Sequence, residues 1–345
     1  MKKKITMGIG AMLLILFIGH TTGFAMSFSE LYRDSGIKAF LKTGEILFEC
    51  QNKTDQTSGL ICTAADGQIF WKVEIPRALY GDAKLGLSGD DIAYVYRTEE
   101  GLFVNRYSRA GSLLAAYELP QDAGMYILVN GNVYFISERR IQYYDAKGQV
   151  IQIQTEKDGR YKSLYEAEGN GLDIIVHVSV EGEKTDEHEL IAFDSNHQKR
   201  WTYSLTDYDV LTSGRIRLAV SPDGCTSFAI FTQENNALDV TALDDHGTVM
   251  WTREITLSLG KGCFISHINR DADGTTWIWG ATRTSFSNFN SWKIVIDSEG
   301  NLVERAIYPK WIDFISYIDG ATYGVEDPFR VPALSKEEEI DWIIQ

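Results

Sequence analysis

The stretch Asp244-Asp-His-Gly247-Thr-Val-Met-Trp251 decides the fold, because versions of it recur along most of the chain. Each version joins two short apolar-alternating runs by a tight turn, and the turn is closed by Gly or, once, by His. The closing positions are 37 to 53 residues apart and lie at Gly67, Gly111, Gly148, His197, Gly247 and Gly300. A repeat of this length indicates a repeat architecture in which each unit is one supersecondary motif.

A second series of turns alternates with the first, so that each repeat contains four short strands, a to d. The second turns lie between strands a and b, at Gly44, Gly89, Gly131, Gly171, Gly224, Gly274 and Gly320. Four strands in about 45 residues, without helical periodicity, predict an all-β fold, a β-propeller of four-stranded antiparallel blades. Seven a–b turns favour seven blades, and six c–d turns leave six as the alternative.

The two ends of the chain have separate predicted roles. Residues 1–25 have a basic start, an apolar run from Ile5 to Gly19 and small residues before Met26, which predicts a secretory signal peptide. An uncleaved N-terminal anchor is the alternative. The propeller then occupies 26–334, and residues 27–41 are expected to complete the last blade. A capping box that begins at Ser335 predicts a short helix over 335–345.

The composition excludes several classes of protein. An apolar fraction of 44% with 12% aromatic residues excludes a disordered chain. Four Cys in 345 residues are too few for a disulfide scaffold. A net charge of −15 argues against nucleic acid or an anionic membrane surface as partner. We therefore expect an acidic, extracytoplasmic monomer.

The Asp-x-x-Gly-x-x-x-Trp units resemble the repeats of quinoprotein-like β-propellers, whose founding members bind pyrroloquinoline quinone. Three units carry the Trp, as Trp71, Trp201 and Trp251. The enzymes of that superfamily hold the quinone against a disulfide of adjacent cysteines, and no two cysteines are adjacent here. The resemblance therefore implies the fold together with a non-enzymatic scaffold at the periplasm or cell surface, without a cofactor.

Propeller topology places the a–b and c–d turns at one end of every blade and the b–c and d–a connections at the other. The b–c and d–a connections are predicted to be long and irregular, and loops on a rigid frame are where binding residues concentrate. Aromatic and charged side chains alternate in these loops. The candidate ligand-binding residues are Tyr80, Asp82, Arg160, Tyr161, Tyr208, Asp209, Trp311 and Asp313.

The cysteines and a possible metal loop give weaker predictions. Cys50 and Cys62 lie on opposite arms of one hairpin and are predicted to form a disulfide if the register aligns them. The stretch from Asn269 to Gly274 has the oxygen spacing of a calcium loop, but Gly280 stands where the closing carboxylate belongs. We interpret it as an Asp-rich turn and expect no metal site.

Two functions remain open from the sequence. The favoured one is a secreted or envelope-associated scaffold that binds a protein or a glycan through the irregular loops. The alternative is a propeller-fold glycan hydrolase or lyase whose acid–base groups lie near the central channel, with Asp82, Asp209, Asp313 and Arg160 as the nominated set.

Overall fold

A computed structural model of the chain describes the fold. The described residues are 32–40, 45–52, 58–63, 69–75, 84–88, 91–120, 126–129, 132–145, 147–183, 185–206, 208, 216–232, 237–257, 263–283, 289–309, 313–316, 322–325, 332–334 and 340–342. The regular elements in these ranges are all β-strands. In this part of the chain there is no helix of the length and apolarity that a membrane span requires. The chain divides into two compact units, residues 1–119 with 312–345 and residues 120–311.

The first unit contains sheets 1 and 2 and the C-terminal strands. Its strands are β1 (Tyr32–Phe40), β2 (Ile46–Asn52), β3 (Ser58–Thr63) and β4 (Ile69–Ile75) in sheet 1, β5 (Lys84–Ser88), β6 (Asp91–Arg97), β7 (Leu102–Ser108) and β8 (Leu113–Glu118) in sheet 2, and the short β25 (Asp313–Ser316), β26 (Thr322–Val325), β27 (Pro332–Leu334) and β28 (Ile340–Trp342), which pair with one another.

The second unit contains sheets 3 to 6. Its strands are β9 (Tyr126–Val129), β10 (Asn132–Ser137), β11 (Arg140–Tyr144) and β12 (Val150–Gln152) in sheet 3, β13 (Tyr161–Gly169), β14 (Ile174–Val180), β15 (Glu187–Phe193) and β16 (Lys199–Ser204) in sheet 4, β17 (Arg217–Val220), β18 (Thr226–Thr232), β19 (Ala237–Leu243) and β20 (Val249–Thr256) in sheet 5, and β21 (Cys263–Arg270), β22 (Thr276–Arg283), β23 (Phe289–Ile296) and β24 (Leu302–Tyr308) in sheet 6.

The predicted repeat of four antiparallel strands is confirmed. In sheets 1 to 6 the strands pair in chain order, and the predicted turn positions fall between a and b and between c and d. Two predictions about the ends are wrong. Residues 32–40 form the first strand of sheet 1 rather than completing the last sheet. Residues Ile340–Trp342 pair with Pro332–Leu334 as a strand, so the helix predicted for 335–345 does not form there. Its capping box lies outside the described residues.

In the second unit, both faces of each central strand are buried. Residues Ile174, Val176 and Val178 of β14 pack with sheet 3 in one hydrophobic core. Ile175 of the same strand packs with sheet 5 in another core. Because side chains alternate along a strand, burial of successive residues in different cores means that the sheets stack face to face. This stacking explains why the apolar runs of the b and c strands are nearly continuous.

Each repeat tryptophan joins its own sheet to the following one. Trp251 lies in β20, the outer strand of sheet 5, and its Nε1 donates to the Ser298 carbonyl in the c–d turn of sheet 6 at 3.0 Å. A Cβ on Gly300 of that turn would stand 2.8 Å from the Trp251 ring. Trp201 makes the same contacts with the Asp245 carbonyl and Gly247. Glycine is therefore required at this position for two reasons: a Cβ would clash with the indole, and the backbone has a positive φ.

The first unit repeats this arrangement. Trp71 of sheet 1 donates to the Arg109 carbonyl of sheet 2 at 2.7 Å, and a Cβ on Gly111 would lie 2.6 Å from the indole ring. The Arg109 side chain also forms an ion pair with Glu45 of sheet 1 at 2.7 Å. The repeat motif thus encodes a contact between sheets, with the Trp in one sheet and the receiving Gly in the next.

His197 shows what happens where the motif lacks its tryptophan. Gln152 of sheet 3 occupies the position that Trp251 has in sheet 5, so no indole reaches the c–d turn of sheet 4. His197 closes that turn with φ +58°. Its ring stacks on Tyr143 of sheet 3 at 4.0 Å, and its Nε2 lies 2.8 Å from the Tyr134 hydroxyl. The imidazole therefore packs against sheet 3 in place of the missing indole.

Gly300→Ala is expected to lower the free energy of unfolding by about 2–4 kcal/mol, because it adds a clash with the Trp251 ring to the strain of an L side chain at φ +84°. The matched control is Gly171→Ala. Gly171 has φ +90° with nothing within 4 Å of an added Cβ, so this substitution should cost only about 1 kcal/mol. Urea unfolding of the two variants measures the difference, and equal losses would contradict the docking role of the glycine.

Candidate functional site

Three chain connections lie together at the irregular end of sheets 3 and 4. They are the b–c turn of sheet 3 at Glu138 and Arg139, the connection 153–160 between the two sheets, and the b–c connection of sheet 4, of which 181–183 and 185–186 are described. Backbone bonds join them: Gly159 N donates to the Arg139 carbonyl at 3.0 Å, and Glu181 N donates to the Arg160 carbonyl at 2.9 Å. We call this surface the loop cluster.

The b–c turn of sheet 3 corrects one prediction. Glu138 and Arg139 have φ of +50° and +59°, as in the tight two-residue hairpin turns whose central residues are both left-handed. This connection is therefore short, whereas the b–c connections were expected to be long. It holds the Arg139 side chain at the surface, where Arg139 Nη1 bonds Glu181 Oε2 at 2.6 Å.

Ion pairs cover the rest of the loop cluster. Lys162 bonds Asp186 at 2.6 Å, and Lys157 bonds the exposed Glu187 and the buried Glu189. Arg160 donates from Nη2 to the Glu181 carbonyl. Exposed ion pairs contribute about 0–1 kcal/mol each, so a partner's charged groups can replace them at little cost. The loop cluster is therefore a rigid backbone that presents exchangeable charges of both signs.

The described part of the chain includes three of the eight predicted ligand-binding side chains. Arg160 is exposed in the loop cluster. Tyr161 is 1% exposed and its hydroxyl lies 2.8 Å from Thr155 Oγ1, so its ring is packed in the core and not displayed. Tyr208 is half-buried against Phe228. Tyr80, Asp82, Asp209 and Trp311 lie outside the described residues, as does the side chain of Asp313.

A row of charged side chains on the first strands of sheets 4 and 5 was missed by the sequence analysis. Glu166 and Glu168 of β13 point toward sheet 5, where Arg217 of β17 bonds Glu166 Oε2 through Nη1 at 2.7 Å. Arg217 Nε also donates to the Ile265 carbonyl of sheet 6 at 3.4 Å. Charged residues at alternate positions of one strand, as in Tyr165-Glu-Ala-Glu168, were the sequence signal for this row.

The two carboxyl groups of the row have different surroundings. Burial, and after it the negative charge of Glu166, raises the pKa of Glu168 to about 7. Glu166 forms an ion pair with Arg217 at 2.7 Å. A carboxyl group with a raised pKa next to an ion-paired carboxylate is an arrangement suited to acid–base catalysis. The row is thus able to hold or release a proton near pH 7.

Two buried imidazoles lie next to this row on the same face of sheet 4. His177 Nε2 and His188 Nδ1 are 3.0 Å apart, and the half-exposed Tyr165 ring covers both imidazoles. Burial lowers the pKa of His177 to about 3 and lowers that of His188 as well. Both rings are therefore neutral at physiological pH.

The predicted disulfide is absent. The register pairs Cys62 with Leu47 and Cys50 with Gly59, so the two cysteine positions are three residues out of alignment along the hairpin. Cys62 is a buried free thiol, and burial raises its pKa to about 12. A side chain of this kind acts as a small apolar residue of the core.

The oxygens of the predicted Asp-rich turn are used within the turn. Asp273 Oδ1 accepts from Thr275 N at 2.9 Å, and Asp271 Oδ2 accepts from Trp277 Nε1 at 3.0 Å. No group of three or more His, Cys, Asp or Glu suited to a metal ion occurs within the described ranges.

No family model and no curated protein matches the chain. Among solved structures, it is similar to BamB from Moraxella catarrhalis, with 14% identity over 86% of this chain and 83% of that one and a TM-score of 0.47. It is similar to the β-propeller domain of the trilobed protease from Pyrococcus furiosus, with 14% identity over 76% and 79% and a TM-score of 0.48.

The chain is also similar to prolyl oligopeptidase B from Galerina marginata, with 10% identity over 97% of this chain and a higher TM-score of 0.58. The fold is of the β-propeller type. The chain spans about half of the oligopeptidase, 55% of its length. At such identities the likeness shows the fold alone.

Glu168→Gln is expected to leave stability near the wild-type value at pH 5 and to raise it at pH 8. The folded-state pKa of Glu168 is about 7, above its ordinary value of 4.5, so its protonated form stabilises the fold below pH 4.5 and that contribution is lost as the pH rises through 7. The gain at pH 8 is at most about 3 kcal/mol.

Urea unfolding across this pH range measures the effect. Glu183→Gln is the control, because Glu183 is exposed in the b–c connection of sheet 4. It should leave the pH profile unchanged. A Glu168→Gln profile parallel to that of the wild type would show that Glu168 is an ordinary ionised carboxylate.

Proposed function

We propose that this chain is an exported, non-enzymatic β-propeller that binds a protein or glycan partner outside the cytoplasm through its irregular end. The signal-like residues 1–25 support export, with cleavage before Met26 or retention as an anchor. Seven four-stranded blades closing into a ring are part of the proposal. The grouping of the C-terminal strands with sheets 1 and 2 in one compact unit supports that closure.

The observation that carries the proposal is the difference between the two ends of the sheets. At one end the c–d turns are built alike: Asp145, Asp194, Asp244 and Asp297 each accept bonds through Oδ1 from the backbone N–H groups two and four residues later. At the other end the connections differ in length and sequence from sheet to sheet. The uniform turns maintain the packing between sheets, whereas loops that vary from sheet to sheet on a rigid scaffold are typical of recognition surfaces.

The side chains of the loop cluster support a polar partner. It presents Arg139, Lys157, Arg160 and Lys162 with carboxylates beside them, and it has no large exposed apolar side chain among its described residues. We therefore expect a polar partner surface, a charged protein face or a glycan, that exchanges ion pairs with the cluster. Such an interface depends on salt concentration.

Site-specific photo-crosslinking in the envelope of the source cell tests this proposal. A photoreactive residue at Arg160 or Arg139 should give a discrete adduct with a protein partner or, for a glycan partner, the purified chain should bind defined glycans on an array. A photoreactive residue at His246, which is exposed in a c–d turn at the other end, is the matched control and should give no adduct.

Charge reversal completes the test. Arg139→Glu with Lys162→Glu should reduce adduct formation or glycan binding at least about tenfold, which corresponds to about 1.4 kcal/mol. Adducts from His246 alone, or binding that is unchanged by the reversal, would contradict the assignment of the irregular end. Absence of any adduct and of any glycan binding would contradict the binding function itself.

A second candidate function is glycan hydrolysis or cleavage, which the Glu166–Glu168 pair favours. Glu168 would act as the acid, and Glu166, held by Arg217, as the charged carboxylate. Release of reducing sugar from envelope glycans by the wild-type chain, lost in Glu168→Gln, would replace the binding proposal with this one.

A further inference from the structure

Arg270 carries a buried positive charge that has no ion-pair partner among the described residues. It is the last residue of β21 in sheet 6, and only 3% of it is exposed. Its Nη1 donates to Ser227 Oγ at 3.0 Å and to Thr276 Oγ1 at 3.1 Å. Both acceptors are neutral hydroxyls, and neither compensates the charge of the guanidinium.

The other edge of the same guanidinium is without an oxygen acceptor. Nε is buried and has no hydrogen-bond partner in the described structure, and the contact of Nη2 is with Met250 Sδ at 4.0 Å. The Nε and Nη2 hydrogens point in parallel and form the fork that binds a carboxylate, phosphate or sulfate with two bonds. The unused half of Arg270 is therefore the half suited to an oxyanion.

The preceding junction between sheets shows how this protein neutralises an arginine at the turn end. Arg200, in the outer strand of sheet 4, bonds Asp173 at 2.8 Å and Asp245 of sheet 5 at 3.3 Å. Asp173 stands two residues after the a–b glycine of sheet 4, and Asp245 directly follows the first Asp of the c–d turn of sheet 5. Two carboxylates thus flank one guanidinium.

At the junction between sheets 5 and 6, residues without a negative charge replace both carboxylates. Because the registers pair Ile174 with Phe193 in sheet 4 and Thr226 with Leu243 in sheet 5, Cys225 stands where Asp173 stands in sheet 4. Burial, and after it the charge of Asp223, raises the pKa of the Cys225 thiol. Ser298 follows the first Asp of the c–d turn of sheet 6, the position that Asp245 has in sheet 5. The positions that supply negative charge to Arg200 are therefore neutral near Arg270.

The remaining acidic neighbours of Arg270 are occupied in their own turns. Asp223 and Asp273 are near enough to favour its charged form, but neither forms an ion pair with it. Asp223 accepts from Ser221 Oγ, and Asp273 Oδ1 accepts from Thr275 N at 2.9 Å. An uncompensated buried charge costs several kcal/mol, so an anion that reaches it is bound favourably.

We propose that the Nε and Nη2 edge of Arg270 is a binding site for a small oxyanion at the turn end of the junction between sheets 5 and 6. The guanidinium lies next to the surface there. Its Nη2 is 3.4 Å from the position of a Cβ on Gly274, and Met250 beside it is half exposed. This site does not depend on partner binding at the irregular end.

Thermal unfolding of the full chain in different anions tests the proposal. Acetate, phosphate and sulfate are compared with chloride at matched ionic strength, since an anion that binds only the folded state raises the unfolding temperature. We expect a rise of several degrees with at least one oxyanion. A response to acetate alone identifies a carboxylate ligand, and a response to phosphate or sulfate identifies a tetrahedral one. No rise above the chloride value overturns the proposal.

Two variants show whether the response belongs to Arg270. Arg270→Met should remove the oxyanion response while unfolding in chloride at the wild-type temperature or above, because it removes an uncompensated charge. Ser298→Asp places a carboxylate where Asp245 stands beside Arg200, because Ser298 and Arg270 Nη2 both lie next to Gly274. It should raise the unfolding temperature in chloride and also abolish the response.

The control is Arg200→Met, which breaks a compensated cluster. It should lower the unfolding temperature and keep the oxyanion response. A response that persists in both Arg270→Met and Ser298→Asp would place the anion elsewhere and overturn the assignment. Should Arg270→Met fail to fold, the Ser298→Asp result decides by itself.

Discussion

The docking of a tryptophan from one sheet onto the turn glycine of the next is the interaction on which the rest of the structure depends. A single four-stranded sheet has two apolar faces and cannot bury them alone. The indole of Trp251 covers Gly300, and its N–H is bonded to the turn backbone. At each of the three junctions that have the tryptophan, apolar contact and a directed hydrogen bond together fix the position of one sheet relative to the next, which hydrophobic burial alone does not do.

This constraint makes the turn end of the sheets uniform and leaves the other end free to vary. The turns that receive an indole must keep Gly, and an Asp at the start of a turn satisfies backbone N–H groups of that turn. The connections of the loop cluster receive no indole, and the Arg139–Glu181 ion pair there is exposed. Arg270 is an exception at the uniform end: a buried charge there serves no evident packing purpose, since apolar residues fill the same space more favourably.

Local features of the sequence predicted the strands and turns, because Gly and Asp determine the backbone conformation of a turn within a few residues of the chain. Features that depend on packing between distant residues were not predictable in this way. Glu166 and Arg217 are 51 residues apart and meet only when sheets 4 and 5 stack. The Cys50–Cys62 prediction failed because the hairpin register is not encoded by the two cysteines. The capping box at Ser335 predicted a helix, but pairing with Pro332–Leu334 makes residues 340–342 a strand.

A double-mutant cycle between Trp251 and Gly300 tests the central claim most directly, because it measures the coupling between the two residues and not the cost of either change. The free energy of unfolding is measured for the wild type, Trp251→Ala, Gly300→Ala and the double variant. The docking account predicts strong coupling: with the indole removed, Gly300→Ala costs only the backbone strain of a positive φ. Additive losses would show that the tryptophan and the glycine stabilise the sheets independently, and would contradict the account.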